Sequence, residues 1–349
     1  MKNRKFRIGI IGTGGIARAT HIPAWKEMPG VEIFAVADII RERADAVGRE
    51  HGVARVFADY HDLLKLDLDA VDICTPNRVH TPVALAALAA GKHVLCEKPL
   101  AVSTREVRQM GTLADRRKLK LMTAQVHRFT TPGVAIKAWA DAGGLGEVYH
   151  ARVRAMRRAW LPIAPGFIDI RQSGGGPCMD IGVHALDECL WLMGFPKPVR
   201  VTGVSKVNFA NGHRIPNMWG EWDRKIFSVE DFAAGFVHFD NGATLTLEAA
   251  FLGHQTETED VSCQLFGLNG GVKWPSGEFA TVQGKQFVQG TITNPHTVEK
   301  PFLAEIRAFH GAVVNHKPSP VPWTETIQVM AILEAIYKSQ KLGKEIVLR

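Results

Sequence analysis

A glycine-rich turn near the N-terminus constrains the fold of this chain more than any other feature. Residues 12–17 read Gly-Thr-Gly-Gly-Ile-Ala, and they stand between the apolar run Phe6–Ile11 and a helix-like segment. In a G-x-G-x-x-A turn, the first glycine permits the tight turn and the second lets backbone N–H groups approach a pyrophosphate. The small alanine allows close packing, and the helix N-terminus supplies positive potential. The order of strand, turn and helix therefore predicts a dinucleotide-binding βαβ unit.

An acidic residue stands where such a unit needs one. Asp38 follows the predicted strand Val31–Ala37, about 20 residues beyond the turn, where a ribose-binding acid is expected. A carboxylate there accepts hydrogen bonds from ribose hydroxyls and repels a 2′-phosphate, which favours NAD over NADP. Arg41 and Arg43 argue for NADP, because an arginine can pair with that phosphate. The alternative is a glycine turn that only joins two elements.

The first 126 residues alternate short apolar strands with helix-length segments. Such continuous apolar strands separated by helices predict a doubly wound parallel sheet, a Rossmann domain over residues 1–126. The predicted helices are 16–28, 41–51, 82–90 and 104–118. The predicted strands are Phe6–Ile11, Val31–Ala37, Val53–Phe57, Ala70–Thr75, His93–Cys96 and Lys120–Gln125.

The pattern changes in the rest of the chain, which predicts a second, α+β domain over residues 127–349. A length of 349 residues agrees with two domains. Turn dipeptides between its strands indicate a mostly antiparallel sheet. A helix over 180–193 interrupts it, and helices over 302–315 and 324–342 close the chain. The predicted strands are Glu147–Met156, Val199–Val207, Phe232–Phe239, Ala243–Phe251 and Val261–Phe266.

Composition excludes several classes of function. The 42 Lys and Arg against 35 Asp and Glu leave a net charge of +7, which suits anionic ligands and is too diffuse for nucleic-acid binding. No apolar run reaches the ~18 residues of a membrane span, and glycines interrupt the N-terminal apolar stretch, which argues against a signal peptide. Five cysteines without a C-x-x-C pair, and no H-E-x-x-H motif, predict no disulfide and no metal site and favour the cytoplasm.

Two short motifs follow predicted parallel strands, where open α/β sheets bind their ligands. Thr75-Pro76-Asn77, with His80 after it, ends one strand, and Glu97-Lys98-Pro99 ends the next. The first motif also fits an ordinary turn, because Pro and Asn are turn formers. Lys98 has the alternative of a plain surface lysine, but its place between a buried strand and a proline favours a functional ammonium group.

In the second half, a glycine run at 174–176 leads to Asp180 and His184. These two residues are four apart, so both side chains share one helical face. A histidine beside a carboxylate suits a general base for an alcohol. The alternatives are a helix-capping Asp and a packed His.

Two further features are candidates for substrate contacts. Arg152, Arg154, Arg157 and Arg158 could form a patch for an anionic substrate, although the solvated face of a strand explains them better. Trp160 could stack on a sugar ring, and its alternative is a core or interface tryptophan.

Taken together, these motifs resemble the glucose-fructose oxidoreductase and inositol dehydrogenase family, Gfo/Idh/MocA. The resemblance covers nearly the whole chain and includes residues 229–231 (Val-Glu-Asp), the Asn241-Gly242 hairpin and the closing helix. It implies a Rossmann domain followed by a domain whose large open sheet forms a homodimer or homotetramer. It also implies a catalytic set of Lys98, Asp180 and His184.

The implied reaction is hydride transfer between NAD and a secondary alcohol or ketone of a sugar, glycoside or cyclitol. A uronate or phosphosugar is the second choice of substrate, and a short 2-hydroxy acid is disfavoured. The cofactor-binding residues predicted are Gly12, Gly14, Gly15, Ile16, Asp38, Arg43, Thr75, Pro76, Asn77, His80, Glu97, Lys98 and Gln125. The substrate-binding residues predicted are Lys98, Arg128, Trp160, Asp180, His184 and Asp187.

Two other functions fit the same family. One is a glycosidase that holds NAD tightly and oxidises, eliminates and rehydrates its substrate without net reduction of the cofactor. The other is a non-catalytic regulator that senses the cofactor. The presence of Lys98, Asp180 and His184 argues against the regulator, since a sensor needs no proton-transfer groups.

Overall fold

The computed structural model describes residues 4–212, 215–294 and 300–348. These residues form two compact units. The first unit contains residues 4–126 and 300–326. The second unit contains residues 127–212, 215–294 and 327–348. The predicted boundary between a cofactor-binding and a substrate-binding domain at residues 126 and 127 stays a prediction. The first compact unit also contains a C-terminal segment, residues 300–326.

The first unit is built on six parallel strands in the order β3-β2-β1-β4-β5-β6. The predicted Rossmann sheet is therefore confirmed. Strands β4 and β6 are buried along their whole length, because helices cover both faces of a parallel sheet. The strands are β1 (Phe6–Ile11), β2 (Val31–Ala37), β3 (Val56–Phe57), β4 (Ala70–Ile73), β5 (His93–Glu97) and β6 (Leu121–Ala124).

The helices of this unit differ from the prediction in three places. The first helix is divided into a π-helical turn, Ala17–His21, and α1, Ile22–Glu27. Pro23, in the first turn of α1, has no N–H to continue the hydrogen-bond ladder, which accounts for the division. Helix α3 was not predicted, and α4 begins five residues earlier than predicted. The remaining helices are α2 (Arg41–His51), α3 (Tyr60–Leu64), α4 (Asn77–Ala89) and α5 (Thr104–Arg117).

Tight packing explains why the segment 300–326 belongs to the first unit. A Cβ on Gly111 of α5 would lie 2.1 Å from the ring of Trp323, so the indole occupies the space a side chain would need. The indole N–H of Trp323 also donates to Asp115 at 3.2 Å. The Thr123 and Thr326 hydroxyls are 2.9 Å apart, which ties the end of the segment to β6.

The second unit contains a nine-stranded sheet in the order β14-β13-β12-β11-β7-β10-β9-β8-β15. Every pairing is antiparallel except that of β7 with β10, so the predicted mostly antiparallel sheet is confirmed. The predicted hairpin joins β9 to β10. The strands are β7 (Val148–Arg157), β8 (Pro198–Lys206), β9 (Phe232–Phe239), β10 (Thr244–Ala250), β11 (Glu259–Gly267), β12 (Gly270–Trp274), β13 (Glu278–Gln283), β14 (Gln286–Thr291) and β15 (Ile346–Val347).

Strands β12 to β15 were not predicted from the sequence. β13 and β14 are largely exposed and polar, so they lack the apolar alternation by which strands are recognised. The helices are α6 (Thr131–Asp141), α7 (Pro165–Ile168), α8 (Ile170–Ser173), α9 (Val183–Leu192), α10 (Pro301–Val314, in the first unit) and α11 (Trp323–Leu342, which begins in the first unit). None of the helices in the described ranges is both long and apolar enough to cross a membrane.

Candidate active site

The glycine-rich turn lies at the carboxyl edge of the parallel sheet. Gly12 has a φ of +90°, and a Cβ there would lie 2.7 Å from the backbone of Cys74, so only glycine fits. By contrast, a Cβ on Gly14 or Gly15 would meet no atom of the described chain within 4 Å. The turn is therefore closed against the sheet and open on its outer side. This is the form of a cradle whose backbone receives a phosphate.

Asp38 lies at the predicted ribose position, and its carboxylate also accepts hydrogen bonds from the glycine-rich turn. Its Oδ2 accepts from the backbone N–H and the hydroxyl of Thr13, at 2.8 and 3.0 Å, and its Oδ1 accepts from Ile40 N at 2.9 Å. A carboxylate has about four acceptor sites, so capacity remains for a ribose hydroxyl. Arg41 is paired with Asp45 at 2.9 Å, and Arg43 is exposed. The bond to Thr13 could not be predicted from spacing.

Buried polar atoms at the same edge lack partners. The hydroxyl of Thr75 and both amide atoms of Gln125 have no hydrogen bond to any part of the chain that the structure describes. Each such group costs about 1–3 kcal/mol when left unsatisfied. A polar ligand that bonds to Thr75 and Gln125 would remove this cost. Together with the open cradle, these atoms fit a dinucleotide with a carboxamide at one end.

The two strand-end motifs contact each other through His80. Its fully buried ring lies 2.8 Å from the carbonyl oxygens of both Pro99 and Thr75. Burial lowers the pKa of His80, although the contacts with Pro99 and Thr75 act to raise it. Lys98 follows directly on β5, and its backbone N–H donates to Glu97 at 3.0 Å.

The predicted catalytic residues are divided between the two units. Lys98 belongs to the first, and Asp180 and His184 belong to the second. Asp180 lies in a π-helical turn, Cys178–Gly182, and His184 lies in the first turn of α9. Both are partly exposed, whereas Ile181, Val183 and Ala185 around them are buried. The helix therefore presents the two polar side chains on the same side, as their spacing predicts.

The ring of His127 lies beside His184 within the second unit. Its ring centroid is 4.7 Å from that of His127, which in turn is 5.0 Å from Trp274. His127 and Trp274 were not predicted as site residues. Neither motif nor spacing marks them, because they come from a 3₁₀ turn and an unpredicted strand.

A buried carboxylate fixes the start of the Asp180 turn. Glu230 accepts from the backbone N–H groups of Gly176 and Cys178, at 3.0 and 3.3 Å, and from the hydroxyl of Tyr337 at 2.7 Å. A Cβ on Gly176 would lie 2.1 Å from the carbonyl oxygen of Glu230. The glycine run therefore serves close approach to Glu230. Burial raises the pKa of Glu230 despite these bonds.

Arg128 and Asp187 bind each other. Two hydrogen bonds of 2.7 Å join the guanidinium to both carboxylate oxygens, and both side chains are almost fully buried. Such a bidentate pair is strong and oriented, and it ties the turn before α6 to α9. The substrate contacts of Arg128 and Asp187 stay predictions.

Two of the three arginines of β7 are matched by acidic side chains on its neighbour β11, and the third, Arg152, lies over the Phe266 ring. Arg154 lies 2.7 Å from Asp260, and Arg157 lies 2.7 Å from Glu259. These pairs support the interpretation of the arginines as the solvated face of a strand.

Trp160 lies edge to face with Trp219, and the ring centroids are 5.3 Å apart.

Comparison with known proteins decides the family. A family model described as oxidoreductase family, NAD-binding Rossmann fold, matches residues 6–125, and the GFO/IDH/MocA C-terminal domain matches residues 134–273. D-glucoside 3-dehydrogenase of Escherichia coli (strain K12) is 31% identical over 361 residues, covering 99% of this chain and 98% of that protein. The chain belongs to the Gfo/Idh/MocA family of oxidoreductases.

Two further similarities agree with this assignment. D-xylose 1-dehydrogenase (NADP(+)) 2 of Haloferax volcanii is 29% identical, with 96% of this chain and 97% of that protein covered. The solved structure of levoglucosan dehydrogenase in complex with NADH has the same fold, with a TM-score of 0.85 at 22% identity, covering 99% of both chains. The predicted family, fold class and oxidoreductase activity are confirmed, and NAD(P) binding with them.

One more acid of α9 lies beside the Arg128–Asp187 pair. Glu188 is fully buried, and neither of its oxygens has a hydrogen-bond partner within the described ranges. Burial, and then the neighbouring Asp187 carboxylate, raise the pKa of Glu188 from 4.5 to about 8. Glu188 is therefore protonated in the folded protein at neutral pH, whereas the unfolded chain ionises it.

This difference makes stability depend on pH. Between about pH 4.5 and 8 the folded state holds a proton that the unfolded state has lost, so the contribution of Glu188 to stability falls as pH rises. We expect Glu188→Gln, which cannot ionise, to exceed the wild type in free energy of unfolding by at least about 1 kcal/mol at pH 8, roughly 2–4 °C in Tm, and by little at pH 5. Thermal unfolding at both values checks this, with the exposed Glu147→Gln as control. A difference that does not change with pH would contradict it.

Proposed function

We propose that this protein is an NAD-dependent dehydrogenase that oxidises a secondary alcohol of a sugar, glycoside or cyclitol, or reduces the matching ketone. The observation that carries the proposal is the carboxyl edge of the Rossmann sheet. An open glycine cradle, a carboxylate at the ribose position and the unpartnered atoms of Thr75 and Gln125 all lie along this edge. The names of the relatives support a sugar substrate, since glucoside, xylose and levoglucosan are all carbohydrates.

The first unit has a residue for each part of the cofactor. In the proposal, the backbone of Gly14 and Gly15 binds the pyrophosphate and Asp38 binds the adenosine ribose. Thr75 and Gln125 bind the carboxamide of the nicotinamide. Ile16, Arg43, Pro76, Asn77 and His80 complete the lining of the site. When bound, the nicotinamide ring supplies or accepts the hydride.

The side chains of the protein handle the proton. In the proposal, His184 takes the proton from the substrate hydroxyl as general base. Lys98 donates a hydrogen bond to the same oxygen and stabilises the negative charge that develops on it. Asp180, four residues before His184, orients the base and helps to relay its proton.

Two contacts favour a neutral ring as substrate. A 2-hydroxy acid needs an arginine clamp on its carboxylate, and the guanidinium of Arg128 already makes a bidentate pair with Asp187. A uronate or phosphosugar would need free cations, and two of the four candidate arginines, Arg154 and Arg157, are paired with acids. In the proposal, the Trp160 ring faces the C–H groups of the sugar.

The assembly and location are also part of the proposal. The nine-stranded sheet exposes apolar side chains such as Phe236, which is 38% exposed, and Val204, which is 40% exposed. These support a homodimer or homotetramer formed through that sheet. The five free, buried thiols support a cytoplasmic location.

The preference for NAD depends on the charge of Asp38. We expect the wild type to bind NAD⁺ at least about tenfold more tightly than NADP⁺, because the carboxylate repels the 2′-phosphate. Asp38→Asn keeps an oxygen that accepts from Thr13 but removes the charge, so it narrows the ratio of the two dissociation constants. Fluorescence titration measures both. Glu32→Gln removes one negative charge at the other end of β2 and is expected to leave the ratio of the dissociation constants unchanged. Tighter binding of NADP⁺ than of NAD⁺ by the wild type would reject the predicted preference.

The chemical roles of Lys98 and His184 are tested with a substrate. A panel of sugars, glycosides, inositols, uronates, sugar phosphates and 2-hydroxy acids, followed at 340 nm in both directions, identifies it. We expect Lys98→Met and His184→Asn each to lower kcat by ~10²–10⁴-fold with little change in Tm. Exposed Lys26→Met serves as the control. Near-normal kcat in either variant would remove that residue from the mechanism, and turnover of lactate or malate alone would reject the sugar.

A further inference from the structure

A buried cluster of charged side chains lies beneath Lys98 in the first unit. His21 and Asp72 are completely buried, and Glu97 is 8% exposed. The His21 ring lies between the two acids, with Nδ1 2.8 Å from Asp72 Oδ2 and Nε2 2.9 Å from Glu97 Oε1. The cluster belongs neither to the glycine cradle nor to the Asp180 turn. No motif of the family resemblance includes His21 or Asp72.

The hydrogen bonds determine the charge of each member. Asp72 accepts from His21, from the indole N–H of Trp25 at 2.7 Å and from the thiol of Cys74 at 3.6 Å, so its oxygens act only as acceptors. Both ring nitrogens of His21 face carboxylate oxygens. A neutral imidazole has one N–H, so a neutral ring would set a lone pair against one of the acids. With both acids ionised, the geometry requires an imidazolium.

The electrostatics agree with the geometry. Burial lowers the pKa of His21, but the charge of the Asp72 carboxylate and the hydrogen bond to it act to raise it, and the pKa lies well above its usual value. Burial acts to raise the pKa of Glu97, whereas the hydrogen bond and charge of His21 lower it below its usual value. His21 is therefore positive and Glu97 negative at neutral pH.

A metal site is the alternative for these atoms. The donor atoms of His21, Asp72 and Cys74 lie within 4.8 Å of one another. Burial, however, raises the pKa of Cys74 to about 12, so the sulfur keeps its proton and donates it to Asp72. A metal needs the thiolate, and the Trp25 N–H also points at the same carboxylate. The cluster is therefore held by hydrogen bonds.

Glu97 connects the cluster to Lys98. Its Oε1 accepts from His21, and its Oε2 accepts from the backbone N–H of Lys98 at 3.0 Å. A proton on Oε2 would break the bond to Lys98, and a proton on Oε1 would leave Oε2 as the oxygen of a neutral acid, which is a weaker acceptor than a carboxylate. The backbone at Lys98 is thus held most firmly while Glu97 is ionised.

We propose that His21 and Asp72 are positioning residues for Lys98, because charged His21 keeps Glu97 ionised and ionised Glu97 fixes the backbone at Lys98. The inference rests on the proposed function, in which Lys98 bonds to the reacting oxygen. The three groups together carry a net charge of −1. The other side chains that face His21 and Glu97 come from the neighbouring helices, strands and loops. They are Trp25, Cys74, His80, Cys96, Lys98 and Phe302.

Charge balance provides the test. His21→Gln leaves two buried carboxylates without a cation, a net charge of −2, and like charges together with burial raise the pKa of Glu97. If that pKa rises to one unit above the assay pH, about a tenth of the molecules remain ionised and kcat falls about tenfold. The acidic limb of the kcat profile then moves to higher pH, and kcat recovers towards pH 9.

The double variant His21→Gln/Asp72→Asn returns the cluster to −1. We therefore expect it to be more active at pH 7 than His21→Gln alone. A cluster that acts only through packing predicts the reverse, since a second buried substitution adds damage and lowers kcat equally at all pH values. His310→Gln is the matched control, because His310 is half-buried in the same unit and packs edge to face on Phe6 at 4.8 Å.

A measurement on the cofactor-free wild type does not depend on activity. Nitrogen-15 NMR of the histidine rings, with His21 assigned by its absence from His21→Gln, is expected to show two protonated ring nitrogens at pH 7. A neutral ring at pH 7 would overturn the inference, as would a pH-independent loss of kcat in His21→Gln. Unchanged kcat in Lys98→Met would instead overturn the proposed function.

Discussion

The backbones of Gly12 and Cys74 meet at the carboxyl edge of the first sheet, and the rest of the cofactor site depends on that approach. A Cβ on Gly12 would lie 2.7 Å from the Cys74 backbone, which is too close for any residue but glycine. Because the turn lies against the end of β4, Thr13 reaches Asp38, and the outer faces of Gly14 and Gly15 stay open. The same approach aligns the turn with the strand end that carries Thr75.

In the second unit, glycines again permit a close approach, here to Tyr337 and Glu230. Gly175 and Gly176 leave no room for a Cβ, which would lie 2.4 Å from the Tyr337 hydroxyl and 2.1 Å from the Glu230 carbonyl oxygen. Glu230 then binds the N–H groups at the start of the π-helical turn. In both units, a glycine lets its backbone approach a carbonyl oxygen, that of Cys74 for Gly12 and that of Glu230 for Gly176. The polar residues proposed to act in the site follow each glycine turn within a few positions.

Local patterns were enough to predict the parallel sheet of the first unit, but not the C-terminal segment that packs on it. The turn, the strand ends and Asp38 all follow from spacing along one chain segment, and each predicted strand is present. The exposed strands β13 and β14 escaped prediction, because only a partly buried strand alternates apolar and polar residues. The partners of Arg128 and His21 could not be predicted either, since Asp187 and Asp72 are separated from them by 59 and 51 residues. One signal was available: Asp72 is a charged residue in the otherwise apolar, fully buried strand β4.

The central claim is that the protein moves a hydride from a sugar carbon to the nicotinamide. The most direct measurement incubates it with NAD⁺ and its best sugar substrate deuterated at all carbon positions, and then examines the cofactor by mass spectrometry. The account predicts reduced cofactor that carries one deuterium, formed in proportion to oxidised sugar. Sugar converted without any deuterated, reduced cofactor would contradict it and indicate chemistry without net reduction.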